Sequence, residues 1–372
     1  MKVLIAMSGG VDSSVTAALL KEAGNQCLGV TMKLYDQGDD YISGEKTCCS
    51  IDDIEDARAV ADRMDIPYYV VNFKDDFKCK VMDRFVDSYL QGITPNPCID
   101  CNRHLKFERL YEKAKELGCD AIATGHYATV EKNEKTGRYV LKKAANPEKD
   151  QSYVLYSLTQ EQLAHTIFPL GVYPKEKVRE MAEERNLVNA RKKDSQDICF
   201  IPDGDYKRFI ETYGNVKCEP GNFVMEDGQV IGRHKGIIYY TIGQRKGLGI
   251  SYKEPLFVKE IRPATNEVVL SDNAALFTDT LYAKDFNWIS VEGIRPGETL
   301  RCMAKIRYKH KESPAIVSSE EGLVKVVFDE PQRAITCGQA VVLYDGDLVV
   351  GGGTICEKRD RSSRFMKRIT KK

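Results

Sequence analysis

The sequence predicts an α/β chain in which a doubly wound parallel sheet is followed by two small β-rich, barrel-like domains. Three observations carry this. Short apolar runs alternate with helical patterns through the first 200 or so residues, the pattern that makes parallel sheets covered by helices. After about residue 205 the chain turns to short alternating runs divided by Gly, Asp-Gly and Pro. At 372 residues the chain is long enough for two or three separate cores. The divisions expected are 1–205, 206–280 and 281–372.

Taken in order, VLIAM (3–7), CLGVTMKLY (27–35), YYVVNF (68–73) and AIATG (121–125) read as buried strands. Helical patterns fill 11–23, 52–64, 78–91 and 102–117. In a sheet of this kind ligands sit beyond the carboxyl ends of the strands, where SGGVDS (8–13), TGH (124–126) and the 94–101 stretch would fall. The runs from Asn222 to Leu270 and from Asn287 to Ile355 each read as a small β domain. The last stretch, KRDRSSRFMKRITKK (358–372), is basic and reads as a solvated tail, with an auxiliary phosphate contact as the sharper reading.

Lys plus Arg and Asp plus Glu both number 55, so no uniform positive field exists to bind nucleic acid by charge alone. There is no long uninterrupted apolar run and the apolar start is cut at Ser8, which predicts a cytoplasmic protein with no membrane association. Twelve cysteines without an export signal argue against a structural disulfide framework and for thiol chemistry or buried thiols. Cys27, Cys119, Cys302 and Cys356, in apolar surroundings, read as small core hydrophobes. Cys48-Cys49 reads as an incidental loop pair, and His104, His165, His234 and His310 as surface or local hydrogen-bonding residues.

The segment MKVLIAMSGGVDSSVTAALL (1–20) places glycines between a strand and a helix, so that backbone approaches a ligand closely and the helix start attracts an anion. It lacks the Lys of the Walker loop and the spacing of the dinucleotide fingerprint. Ser8, Ser13 and Ser14 offer hydroxyls, and Asp12 is a candidate ligand for Mg²⁺ against a pyrophosphate.

SGGVDS resembles the pyrophosphate loop of the N-type ATP pyrophosphatases, which activate an oxygen by adenylation. TPNPCIDCN (94–102), ATGHYA (123–128), KDQSYVLY (149–156), SQDICFIPDGDY (195–206), YYTIGQRKGLGI (239–250), IRY (306–308) and QRAITCGQA (332–340) extend the likeness. Together they resemble the bacterial tRNA-specific 2-thiouridylase family, in order, to about residue 356. The resemblance implies ATP-dependent adenylation of the C2 oxygen of the wobble uridine in the Lys, Glu and Gln tRNAs. Sulfur then replaces that oxygen, with AMP and pyrophosphate released.

Such chemistry needs a leaving group on the oxygen and a sulfur nucleophile at the carbon, which two cysteines and ATP supply. By the resemblance Cys199 bears a persulfide and Cys101 is the nucleophile that works against it, ending as a disulfide. The sulfur arrives from a persulfide donor such as a cysteine desulfurase or relay protein. ATP contacts carried over are Ala6, Met7, Ser8, Gly9, Gly10, Val11, Asp12, Ser13, Met32 and Gly125. Contacts with tRNA are Asn96, Pro97, Cys98, His126, Lys149, Asp150, Gln151, Arg307, Tyr308 and Gln339, types suited to phosphate contact, stacking and edge recognition.

Asn96-Pro97 reads as N-cap and first residue of a helix, which sets Cys98 and Cys101 one turn apart where the helix dipole favours thiolate. The family's commonest form has Asp after Asn-Pro, whereas this chain has Cys98, which puts that acid/base role in doubt. Cys98-Ile99-Asp100-Cys101 is moreover a C-x-x-C that, with Cys199, has the thiols for a 4Fe-4S cluster with one open iron, or for zinc. A noncatalytic tRNA-binding sulfur-relay protein is the rival of a different class, and the ATP loop speaks against it.

Overall fold

The computed structural model describes residues 1–36, 51–192 and 198–358. Cys48, Cys49 and the tail beyond Lys358 lie outside the described residues, as does Ser195-Gln196-Asp197 of the motif before Cys199. The chain divides into two compact units: 1–87, 97–217 and 347–349 in the first, and 88–96, 218–346 and 350–372 in the second.

The first unit is built on a parallel sheet of β1 (Lys2–Ala6), β2 (Gln26–Lys33), β3 (Tyr68–Asn72), β4 (Ala121–Ala123) and, after a short hairpin, β7 (Thr166–Ile167). The hairpin strands are β5 (Thr129–Lys132) and β6 (Tyr139–Lys142). The sheet order is β3-β2-β1-β4-β7, with every pairing parallel, so the four expected strands form one sheet with β1 at its centre. β1 pairs on both edges and its Val3, Leu4 and Ile5 are fully buried, which is why it reads as a continuous apolar run.

Helix α1 (Val11–Glu22) and helix α2 (Ile51–Arg63) follow β1 and β2 respectively. Two longer helical stretches run over 74–90 and 97–116, and each contains a π-helical segment, Lys78–Asp83 and Asn102–Arg109. The second of these begins at Pro97, five residues before the 102–117 periodicity, because proline's fixed φ and missing N–H suit a helix start. An aromatic cluster holds Phe200 against the first: its ring centroid lies 5.6 Å from Phe77, 5.5 Å from Phe85 and 4.9 Å from Phe209.

In the second unit β8 (Gly221–Met225), β9 (Val230–His234), β10 (Phe257–Arg262) and β11 (Glu267–Ser271) form a four-stranded sheet in the order β10-β11-β8-β9. Its apolar face gathers Phe223, Tyr240, Leu256, Val258, Val268 and Leu270. His234 belongs to this interior rather than to the surface: it is 2% exposed, accepts from Gly236 N–H at Nδ1 and reaches the Asn266 carbonyl from Nε2.

Six further strands follow: β12 (Phe277–Trp288), β13 (Thr299–Lys305), β14 (Ser313–Glu320), β15 (Leu323–Arg333), β16 (Ala340–Asp345) and β17 (Leu348–Cys356). They run β12-β15-β14-β13-β16-β17, and β17 pairs back to β12, which closes a barrel and removes its edges. Alternate residues of β14 and β15 (Ala315 and Val317; Val324, Val326 and Phe328) point into the barrel core, the period of two expected of such strands. No described helix is long and apolar enough to cross a membrane.

Cys27, Cys119, Cys302 and Cys356 are all buried, as their surroundings predict. Burial in the barrel pushes the Cys302 thiol from 9.0 up to about 12, with the Asp345 charge adding to it. The folded chain therefore keeps this thiol neutral where the unfolded chain ionises it, and stability is lost as pH rises from about 9 toward 12. In denaturant titrations across that range, Cys302→Ala is expected to flatten the alkaline fall; an unchanged fall contradicts the assignment.

Candidate active site

The β1–α1 connection is shaped by backbone demands. Gly9 adopts φ +71°, and a Cβ there would lie 2.2 Å from the carbonyl oxygen of Asp53. Only glycine satisfies both conditions. Gly125, beyond β4, packs its backbone on the same loop, where a Cβ would sit 2.9 Å from the backbone of Asp12. The strand-end glycine singled out from sequence is thus a close-packing position against the loop.

Helix α1 starts at Gly10 with no side-chain cap on its first N–H groups. The hydroxyls instead brace the turn. Ser13 Oγ accepts from Ser8 N–H at 3.1 Å and donates to Gly10 O at 3.0 Å, and Ser14 Oγ donates to the same carbonyl at 3.0 Å. Uncapped N–H groups with the positive end of the helix dipole behind them form an anion seat at the end of β1. Met7 N–H is fixed to Val30 O at 2.8 Å, and Met32 lies on β2 two residues beyond that contact.

Asp12 is held more firmly than the sequence reading supposes. Lys175 Nζ lies 2.7 Å and 2.8 Å from its two carboxylate oxygens, and Tyr127 Oη donates to Oδ1 at 2.7 Å. Lys175 is 4% exposed. Asp12 is therefore already charge-compensated, and a Mg²⁺ ion would share its carboxylate with a buried ammonium. Asn189, also buried, donates to Gly9 O at 2.9 Å and to Ser14 Oγ at 2.8 Å. Lys192 Nζ bridges Asp53 and Asp56 at 2.6 Å each, fixing the helix whose backbone abuts Gly9.

Tyr127 links this loop to the 149–151 segment. Its N–H donates to Gln151 Oε1 at 2.9 Å, and its carbonyl accepts from Gln151 N–H at 2.9 Å. Asp150 is not a free tRNA contact: it is buried, and its carboxylate accepts from Ala144 N–H, Ser152 N–H and Ser152 Oγ–H. It shapes the turn that presents its neighbours. Lys149 is half-buried.

His126 also departs from expectation. It is buried between Phe107 and Phe168, with Nδ1 2.7 Å from Thr124 Oγ1 and Nε2 3.4 Å from Lys106 Nζ. An ammonium can only donate, so Nε2 accepts and Nδ1 carries the proton. Burial, then the Lys106 charge, drives its pKa well below the ordinary value, and the ring is neutral. It presents no free face to RNA here.

Cys101 is buried and Cys98 exposed, both on the helix that begins at Pro97. Between them Asp100 is mostly buried, which raises its carboxyl pKa, while Arg84 at 3.5 Å counters that rise. Cys199 is half-buried; its carbonyl accepts from Tyr35 Oη at 3.1 Å, and the next residue is the Phe200 anchor. Both thiols thus belong to elements packed on the 74–90 helix, one through Arg84–Asp100 and the other through Phe200 on Phe77 and Phe85. Among the described residues no three Cys, His, Asp or Glu side chains gather to hold a metal, so Cys98, Cys101 and Cys199 do not form a cluster site here.

In the second unit Gln339 Nε2 donates to Thr94 O at 2.9 Å and to Pro95 O at 3.3 Å, holding the backbone just before Asn96. Arg307 donates to Ala334 O and Thr336 Oγ1, so its guanidinium fixes a loop, whereas Tyr308 beside it is exposed.

Lys175, Tyr127, Asn189 and Lys192 were not singled out from sequence. Tyr127 lies inside the quoted ATGHYA, but Lys175 in KEKVRE looks like an ordinary charged helix face, and nothing local marks Asn189 or Lys192.

A helix-start anion seat at the end of a central parallel strand, followed by a separate sheet and a closed barrel, defines an α/β protein with a phosphate-binding type of loop and two appended β domains. Residues 1–203 match the family described as the tRNA methyl transferase HUP domain, 207–272 its PRC-barrel domain and 278–355 the aminomethyltransferase beta-barrel domain. A tRNA-specific 2-thiouridylase MnmA of Clostridioides difficile is 55% identical over 355 residues, 95% of this chain and 98% of that one. The enzyme of the same name from Carboxydothermus hydrogenoformans is 52% identical over 364 residues, 96% of this chain and 98% of its own. The chain belongs to the tRNA-specific 2-thiouridylase family, and it is an ATP-dependent enzyme of tRNA thiolation. The solved 4-thiouridine synthetase in complex with RNA and ATP is similar at a TM-score of 0.37 and 18% identity, covering 57% of this chain and 51% of its own, too distant to bear on the chemistry.

Removing Lys175 leaves Asp12 without its cation beside the anion seat. Lys175→Met is expected to raise the KM for ATP tenfold or more, measured by initial rates of thiolation at saturating tRNA. An unaltered KM for ATP contradicts this role.

Proposed function

We propose that the chain makes 2-thiouridine at the tRNA wobble position through a cysteine persulfide. The observation that carries this reading is the placement of a half-buried Cys199 and a buried Cys101 on elements packed against one helix, in the unit that also holds the ATP loop. The division of labour is 1–205 for adenylation and sulfur transfer, with 206–280 and 281–372 serving the tRNA.

ATP lies with its phosphates on Ser8, Gly9, Gly10, Val11, Asp12 and Ser13, and its adenine toward Met32. Asp12, which shares its carboxylate with Lys175, would hold a Mg²⁺ ion that screens the pyrophosphate charge, and the Asp12–Lys175 pair holds the loop against which the phosphates rest. The uridine O2 attacks the α-phosphorus and pyrophosphate leaves. The Cys101 thiolate attacks the inner sulfur of the Cys199 persulfide, forming the Cys101–Cys199 disulfide and freeing the outer sulfur as a nucleophile. That sulfur attacks C2, the C2–O bond breaks and AMP departs with the oxygen. External thiol reduces the disulfide, and a persulfide-bearing donor protein reloads Cys199.

Recognition of tRNA falls to Asn96, Pro97, Cys98, Lys149, Gln151 and Tyr308, with Asp150, His126, Arg307 and Gln339 as the groups that hold these segments in shape. Acceptance of the Lys, Glu and Gln tRNAs is part of the same reading.

Cys199→Ser and Cys101→Ser are each expected to abolish thiolation, seen as loss of retarded tRNA on an organomercury gel, while ATP–pyrophosphate exchange with bound tRNA persists. Full thiolation by either variant refutes the persulfide route. Anaerobic protein holding about four irons and four acid-labile sulfides per chain, with activity tracking that content, also refutes it in favour of a cluster.

A further inference from the structure

The second unit holds a cavity of about 480 Å³ made by the stretch 245–256, which the functional reading so far leaves unused. Its size falls in the range of about 300–1,000 Å³ that takes a small ligand. The floor is apolar, formed by Leu248 and Leu256, which belong to the core of the four-stranded sheet. The rim carries Arg245, Tyr252, Lys253 and Glu254.

Arg245, Lys253 and the neighbouring Lys246 form no ion pair among the described residues. Glu254 is the single acid on the rim, so an excess of positive charge remains at an exposed site in a chain of zero net charge. Gly247 (φ +79°) and Gly249 (φ +69°) turn the loop on itself, with nothing within 4 Å of a Cβ at Gly249. Backbone at Gly249 is therefore open to a close ligand. Tyr252 is 41% exposed and makes no ring contact among the described residues, although Tyr240 of the same unit packs on Phe223 and His234. An aromatic ring left out of an adjacent core, beside unpaired cations, is the chemistry that holds an unstacked base and its phosphate.

We propose that this cavity is a second tRNA-contact site, which takes one unpaired nucleotide of the substrate RNA. Tyr252 stacks on the base, and Arg245 and Lys253 hold the flanking phosphodiesters. The proposal rests on tRNA being the substrate and is independent of the cysteine assignments. A free mononucleotide shares the chemistry, so the test separates the two.

With the full-length enzyme and wild-type cysteines, tRNA affinity is measured by filter binding across a KCl series. Arg245→Ala/Lys253→Ala is expected to weaken binding about tenfold and to lower the slope of log K against log salt by about 1 to 2. Tyr252→Ala should weaken it about tenfold while Tyr252→Phe does not, with KM for ATP and thermal midpoint unchanged in all. p-Benzoylphenylalanine at position 252 should crosslink to a single unpaired nucleotide. Wild-type tRNA affinity and salt slope in the double variant overturn the proposal, as does a site that binds UMP but leaves no crosslink to tRNA. Full thiolation by the cysteine variants with these binding results intact would refute the persulfide route and leave the site standing, whereas loss of thiolation in them with wild-type tRNA binding by the double variant would remove the site alone.

Discussion

The Asp12–Lys175 ion pair is the interaction on which the rest of the catalytic unit depends. A carboxylate in the first turn of α1 stabilises the helix start, yet it stands where an incoming polyphosphate brings more negative charge. A buried ammonium touching both its oxygens resolves that conflict and ties the 175–184 helix to the loop. Tyr127 joins the same carboxylate and passes the constraint to Gln151, so the turn proposed for ATP and the segment proposed for tRNA share one hydrogen-bonded frame.

Around that frame, burial distinguishes thiols by role. Four cysteines are buried in apolar cores, and in Cys302 burial, with the Asp345 charge adding to it, suppresses ionisation. Cys98, Cys101 and Cys199 are instead graded from exposed to buried along elements packed on the 74–90 helix. The persulfide proposed on Cys199 needs enough access to be reloaded and enough shelter to avoid loss to solvent thiols, and a half-buried position offers both.

Much of this was legible in the sequence. The alternation of apolar runs with helical periods identified four of the five strands of the central sheet, since buried parallel strands are apolar on both faces; the two-residue β7 is too short to show a pattern, and 68–73, read as a buried strand, is an edge strand with Tyr69 and Val70 exposed. Gly9 and Gly125 were readable because glycine at a strand end answers a backbone requirement. What stayed hidden were contacts made at long separation. Lys175 lies 163 residues from Asp12, and Asn189 lies 180 from Gly9, and neither position has a local pattern to mark it. The same cause hid the internal hydrogen bonds of His126 and Asp150, whose residue types alone suit RNA contact. The start of the 97–116 helix, by contrast, was fixed by Asn96-Pro97 even though the apolar periodicity begins later.

On the persulfide route the sulfur atom leaves Cys199 for an ATP-activated uridine. Enzyme loaded with ³⁵S on Cys199 as persulfide, freed of donor and reductant, and mixed with unmodified tRNA and ATP-Mg²⁺ measures this in one turnover. The expected result is ATP-dependent passage of the label into 2-thiouridine, with a matching amount of Cys101–Cys199 disulfide found by mass spectrometry of the digested protein. Label that stays on the protein while tRNA is thiolated from another source would contradict it.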